Sequence, residues 1–155
     1  MRVAIASDHA GFQLKKTVVD VVCEIGHEPL DLGTDGNLSV DYADFAEKVG
    51  RVIRNGEATR GILLCGSGVG ICIAANKIKG IYAAVCHDSY SAHQGVEHDN
   101  MNVLCLGGRV VGPDLTKELV AAFLNAHYVG NDPGGERHSR RVAKVRRLEE
   151  EGIGC

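Results

Sequence analysis

The sequence predicts an α/β fold: a Rossmann-like αβα sandwich on a five-stranded parallel sheet, as a single domain (1–155) with an added C-terminal helix. Three observations carry this. Short apolar runs alternate with amphipathic stretches along the whole chain, the pattern of parallel βαβ units. Runs such as ILLC (62–65) and AAVC (83–86) are apolar throughout rather than alternating, as befits strands covered on both faces. A chain of 155 residues, 45% hydrophobic and 24% charged, suits one domain with its own core.

Taken in order, Arg2–Ala6 reads as the first strand. Phe12–Cys23 places Leu14, Val18, Val19, Val22 and Cys23 near helical spacing, with Gly26 as a stop. Glu28–Leu32 is a second strand, and Asp41–Ile53 a helix with Phe45, Val49, Val52 and Ile53 on one side. Gly61–Cys65 is the third strand, followed by glycines and a helix over Gly70–Lys77. Tyr82–Cys86, the Ser89–Val96 helix, Val103–Leu106 and the Leu115–Ala126 helix complete the alternation. Val129–Gly135 reads as an irregular loop, and about 136–151 as a charged amphipathic helix. Crossovers are expected to be right-handed. Ligands of such sheets bind beyond the carboxyl ends of the strands.

Net charge is −3 and the pI is near 6.1, which argues against a general nucleic-acid or membrane-surface binder. No apolar run is long enough for a membrane span, and MRVAIASDHAG lacks the features of an export signal. A cytoplasmic location is expected. The six cysteines contain no CxxC pair. Cys65, Cys86 and Cys105 sit at or near the ends of apolar runs, where cysteine acts as a small hydrophobe. Reduced thiols are expected.

Four stretches bear chemistry. In CGSGVG (65–70), the glycines let backbone amides approach a ligand. A helix beginning there favours an anion and the thiolate form of an adjacent cysteine. A tight turn with Cys65 as core filler fits the spacing equally well. Gly66, Gly68 and Asp88 imitate a dinucleotide fingerprint, but the third glycine, Gly70, comes one position early. In SDHAGFQLKK (7–16), Asp8 and His9 stand at a strand end, within reach of a ligand. Asp8 also suits a helix cap. In GGERHSRRVAKVRR (134–147), Arg137 and Arg141 share a helix face, with His138 on its flank. That set suits a phosphate dianion, although a charge run of this kind is more often a solvated basic face, here paired with Glu149–Glu151. In HDSYSAHQGVEHDN (87–100), His93 and His98 are five apart, poor spacing for two metal ligands on one helix face. An isolated histidine acting as an acid is the better reading.

Together, SDHAGFQLK, ILLCGSGVGICIAANK, the His98–Val103 segment, GGRVVG and ERHSRRV occur in one order over nearly the whole chain. In this the sequence strongly resembles the type B ribose-5-phosphate isomerases, within the family that also holds galactose-6-phosphate isomerase subunits. The resemblance implies an aldose–ketose isomerisation, ribose 5-phosphate to ribulose 5-phosphate, through a cis-enediolate, as in the pentose phosphate pathway. It implies no metal or organic cofactor. Cys65 matches the base. The amides of Gly66, Ser67, Gly68, Val69 and Gly70 match the enediolate-binding turn. Ser67 stands where threonine is common, and its hydroxyl can shuttle a proton. Asp8 and His98 match residues tied to binding and ring opening. His9, Arg137 and Arg141 match phosphate and sugar-hydroxyl contacts, beside His138, and Arg109 matches a further phosphate contact. The family's active site is shared between subunits, so the resemblance implies a homodimer and leaves a tetramer open.

Two departures bear on the substrate. The family pattern His-Asn-Asp is replaced by His98-Asp99-Asn100, so Asp99 or Asn100 takes the place of a substrate-contacting asparagine. The segment HYVGNDPGGERH is longer than its usual counterpart. Allose 6-phosphate and galactose 6-phosphate are therefore alternative substrates. A non-catalytic nucleotide- or phosphosugar-binding domain is the alternative outside enzymes.

Overall fold

The computed structural model describes residues 1–152. Cys155, one of the six expected thiols, lies outside the described residues. The elements run β1 (Arg2–Ser7), α1 (Phe12–Glu24), β2 (Glu28–Asp31), α2 (Tyr42–Arg54), β3 (Arg60–Cys65) and α3 (Val69–Ala75). They continue with β4 (Ala83–Val85), α4 (Ser89–Asp99), β5 (Val103–Gly107), α5 (Pro113–Asn125) and α6 (Glu136–Glu151). All strand pairs are parallel, in the order β2-β1-β3-β5-β4.

Side chains along a strand point alternately to the two faces. Val3, Ile5, Ile62, Leu64, Leu104 and Leu106 therefore join α1, α4 and α5 in one core. Ala4, Ala6, Leu63, Cys65, Val103 and Cys105 join α2 and α3 in the other. Both faces are covered, which is why these strands read as unbroken apolar runs. Each fully buried leucine or isoleucine contributes roughly 2 kcal/mol through the water it leaves.

The helix after β1 lies on one face and the helix after β3 on the other. The adjacent strands β1 and β3 thus form the point at which the connections diverge, and a crevice opens above their carboxyl ends.

Two boundaries differ from expectation. α4 runs on to Asp99, because the stop is Asn100 in the left-handed conformation (φ 57°) rather than the end of the apolar pattern at Val96. The loop after α5 contains a 3-10 turn, Val129–Asn131. Among the described residues no helix is long and apolar enough to cross a membrane, and Cys23, Cys65, Cys72, Cys86 and Cys105 are free thiols.

Candidate active site

Three strand-to-helix turns converge above β1, β3 and β5. The Asp8 amide donates to the Leu64 carbonyl at 3.0 Å, fixing the β1–α1 turn against β3. Gly11 is needed there: a Cβ would lie 2.6 Å from that of Leu64. The β5–α5 turn is stitched to the Cys65 turn by Gly108 N–H to the Cys65 carbonyl (2.8 Å) and Arg109 N–H to the Gly66 carbonyl (3.0 Å). This brings Arg109 beside Gly66.

The result is a hollow of about 580 Å³ lined by Asp8, His9, Ala10, Tyr42, Cys65, Gly66, Ser67, Gly70, Arg109 and Val110. Cys65 lies at its floor, 5% exposed. Its sulfur accepts a hydrogen bond from the Gly68 amide at 3.1 Å. The Ser67 hydroxyl accepts from the Val69 amide at 3.3 Å. Among the described residues the amides of Gly66, Ser67 and Gly70 have no protein acceptor, so they are free for an anionic ligand.

Asp8 is buried and its Oδ1 accepts from the amides of Ala10 (2.8 Å) and Gly11 (3.0 Å). It braces the turn before α1 while lining the hollow, and it is not the helix cap expected from the sequence: the N-cap of α1 is Gly11, which has no side chain to cap with. His9 Nδ1 accepts from the Val40 amide at 3.2 Å. In the neutral ring its proton is then on Nε2. Asp88, the residue that imitates a ribose-binding acid, accepts from the Ser91 amide at 2.7 Å as the N-cap of α4. Its carboxyl is held below the ordinary value by those Ser91 hydrogen bonds.

His98, Arg137 and His138 are not in this hollow. They line a second one of about 340 Å³ with Glu97, Asp132 and Gly134. The His98 and His138 rings stack with centroids 4.1 Å apart, and Arg137 Nε donates to His138 Nε2 at 2.9 Å. Burial pushes the His138 pKa down, and His98, Arg137 and Arg141 push the same way, against Asp99. Arg141 is exposed on α6. Asp99 accepts from the Gln94 amide at 3.3 Å, and Asn100 ends α4. Among the described residues no cluster of three or more His, Cys, Asp or Glu could hold a metal ion.

Three residues escaped the reading of the sequence. The Tyr42 ring overlies the Gly70 backbone, where a Cβ would come within 2.9 Å of it. Gln94 contacts His98, and Lys15 anchors the loop behind His9. Gln94 and Lys15 lie within the stretches quoted above and Tyr42 outside them, but no residue type or spacing marks any of the three. Each is placed only by the packing of one element on another.

Comparison with known proteins places the chain in a family. The sequence model described as Ribose/Galactose Isomerase matches residues 3–145. Ribose-5-phosphate isomerase B of Escherichia coli (strain K12) is 43% identical over 149 residues, 96% of this chain and 97% of that protein. D-erythrulose-4-phosphate isomerase of Pectobacterium atrosepticum is 42% identical over 132 residues, 84% of this chain and 86% of that protein. The structure of Clostridium thermocellum ribose-5-phosphate isomerase B superposes with a TM-score of 0.91 at 46% identity, covering 97% of this chain and 99% of that one. The chain belongs to the ribose/galactose isomerase family and is an aldose–ketose isomerase.

Proposed function

We propose that the chain interconverts ribose 5-phosphate and ribulose 5-phosphate through a cis-enediolate, with Cys65 as the base. The observation that carries this is the Cys65 sulfur in a hollow whose rim presents unpartnered amides at Gly66, Ser67 and Gly70. The thiolate takes the proton from C2 and returns it to C1. The charge that develops on the substrate oxygens is met by those amides, and preorganised donors of this kind are worth a large share of a barrier. The Ser67 hydroxyl passes a proton between O1 and O2. His98 donates a hydrogen bond to the ring oxygen as the furanose opens, and Asp8 takes part in that opening. Arg109, Arg137, Arg141 and His9 hold the phosphate and hydroxyls, a remote handle that orients the reacting carbons.

The second part of the proposal is that the site is completed by a second copy of the chain. Cys65 and His98 line separate hollows with no residue in common. Val69, Ile73 and Val110 expose apolar surface on α3 and on the β5–α5 turn. A homodimer that covers this surface and brings the His98 group of one subunit to the Cys65 hollow of the other accounts for both. No cofactor enters this reading, and the enzyme acts in the cytoplasm, where phosphosugars are metabolised.

The test is formation of ribulose 5-phosphate from ribose 5-phosphate by the purified chain alone, beside Cys65→Ala and EDTA-treated protein. Turnover that survives EDTA and is lost in the variant supports the cysteine-base isomerase. Full activity of Cys65→Ala sinks the assignment. A second reading, another phosphosugar as substrate, is favoured by Asp99 in place of asparagine and by the relative named for a four-carbon substrate. It prevails if ribose 5-phosphate is inert and another phosphosugar turns over.

A further inference from the structure

Gln94 lies one helical turn before His98, so the two side chains share a face of α4. The Gln94 amide nitrogen is 3.0 Å from His98 Nδ1 and 3.3 Å from an Asp99 carboxylate oxygen. A carboxylate has no hydrogen to give. The Gln94 group facing Asp99 must therefore be the NH2, and the same nitrogen makes Nδ1 of His98 an acceptor. A neutral imidazole has one N–H, which is then on Nε2. The nearest carboxylate to Nε2 is Glu97 at 3.7 Å, too far for a hydrogen bond. That N–H is left for a ligand.

The remaining neighbours do not compete for Nδ1. His138 stacks on the ring face, with its Nε2 occupied by Arg137. Glu97 is shared with His93 Nδ1 at 3.4 Å. Arg141 faces His138, whose pKa it helps to lower. Without Asp99 the Gln94 amide could turn its oxygen towards Nδ1 equally well, and the other tautomer would follow.

We propose that Gln94 and Asp99 are positioning residues that lock His98 as the Nε2–H tautomer, so that it serves a substrate oxygen as a fixed neutral hydrogen-bond donor. The inference rests on His98 acting on the substrate, as read above. A neutral imidazole can polarise an oxygen in this way without giving up its proton.

The test uses uniformly ¹⁵N-labelled full-length protein. Long-range ¹H–¹⁵N spectra at about pH 8, where ordinary histidines are neutral, report which nitrogen of His98 carries the proton. The wild type is expected to show Nε2–H. Gln94→Glu sets an acceptor opposite Nδ1, and should invert the tautomer and reduce kcat/KM about 100-fold, the typical loss for one such donor. Gln94→Met removes the donor without reversing it, and should give mixed tautomers and a smaller loss. Unchanged circular dichroism keeps folding out of the comparison. An Nδ1–H wild type, or an Nε2–H tautomer that persists in Gln94→Glu, overturns the proposal. If the tautomer inverts and turnover is untouched, the lock stands but the role of His98 in turnover falls.

Discussion

The Cys65 sulfur lies 3.1 Å from the Gly68 amide nitrogen, and the left-handed backbone of Gly68 (φ 82°) aims that amide at it. The same glycine packs against β5: a Cβ would stand 3.0 Å from the Leu106 carbonyl carbon and 3.2 Å from the Gly107 nitrogen. Both are backbone atoms, which cannot swing aside. Gly68→Ala should cost about 1–2 kcal/mol from the left-handed conformation and more from the contacts. The melting temperature should fall by several degrees. Turnover of ribose 5-phosphate should fall about 100-fold, because a shift of the order of 1 Å in a reacting group has that effect. Thermal melts and initial rates on the same preparation check both, and wild-type kcat would show that the aim of the amide does not matter.

The parallel sheet was legible because Val3 and Ile5 face one layer while Ala4 and Ala6 face the other, and all four are apolar. The glycine turn at Cys65 was legible from its spacing. That Cys65 and His98 line separate hollows within one chain was not legible from residue pattern, since the charged pattern of α6 specifies a helix but no docking position; only the family resemblance pointed to a shared site. Lys15 illustrates the other limit. On a helical wheel it falls beside Val18 and Val22 on the inward face, and it is 5% exposed, a charge that the pattern places inside without saying what meets it. Only the return of the loop after β2 across α1 gives it partners.

His138 links stability to pH. Burial, followed by His98, Arg137 and Arg141, lowers its pKa from the ordinary 6.5. The unfolded chain then binds more protons than the folded one between the lowered value and 6.5. Stability from this group is full above 6.5 and is lost as pH falls through the folded value. His138→Gln should flatten the fall in melting temperature on the acid side of 6.5. A series of melts in acidic buffers checks this, and an equally steep fall in the variant would assign the dependence to other groups.

Cys72 should be the reactive thiol among three clustered cysteines. Its pKa is lowered to about 7, chiefly by hydrogen bonding with Cys105, with smaller help from the Val85 backbone and Asn76. Burial pushes Cys86 up to about 11 and Cys105 well above its ordinary value. Alkylation proceeds through the thiolate. Iodoacetamide at neutral pH should therefore label Cys72 at least about tenfold faster than Cys86 or Cys105, and the Cys72 rate should halve near its pKa of about 7. Peptide mass spectrometry over a time course measures this directly. Equal labelling of Cys86 would contradict the environment described for the cluster.

The Lys15 ammonium reaches Asp31 at 2.7 Å and the Thr34 carbonyl at 2.7 Å. It thereby pins the loop that leads from β2 to α2. Further along that loop the Val40 amide donates to His9 Nδ1, so the anchor of the loop and the orientation of His9 lie on one stretch of chain. Lys15→Met keeps the buried stem and removes the charge. The Thr34 carbonyl loses its donor, while Asp31 keeps the Gly33 amide at 3.0 Å. The expected cost is about 2 kcal/mol, the usual worth of a hydrogen bond to a charged group, or about 4–8 °C in melting temperature for a chain of this size. If His9 holds the phosphate end of the substrate, a loosened loop should raise KM several-fold and leave kcat largely intact, because the reacting atoms at Cys65 are held by a different turn. A variant that melts lower but keeps its KM would show that the loop stabilises the fold without governing His9.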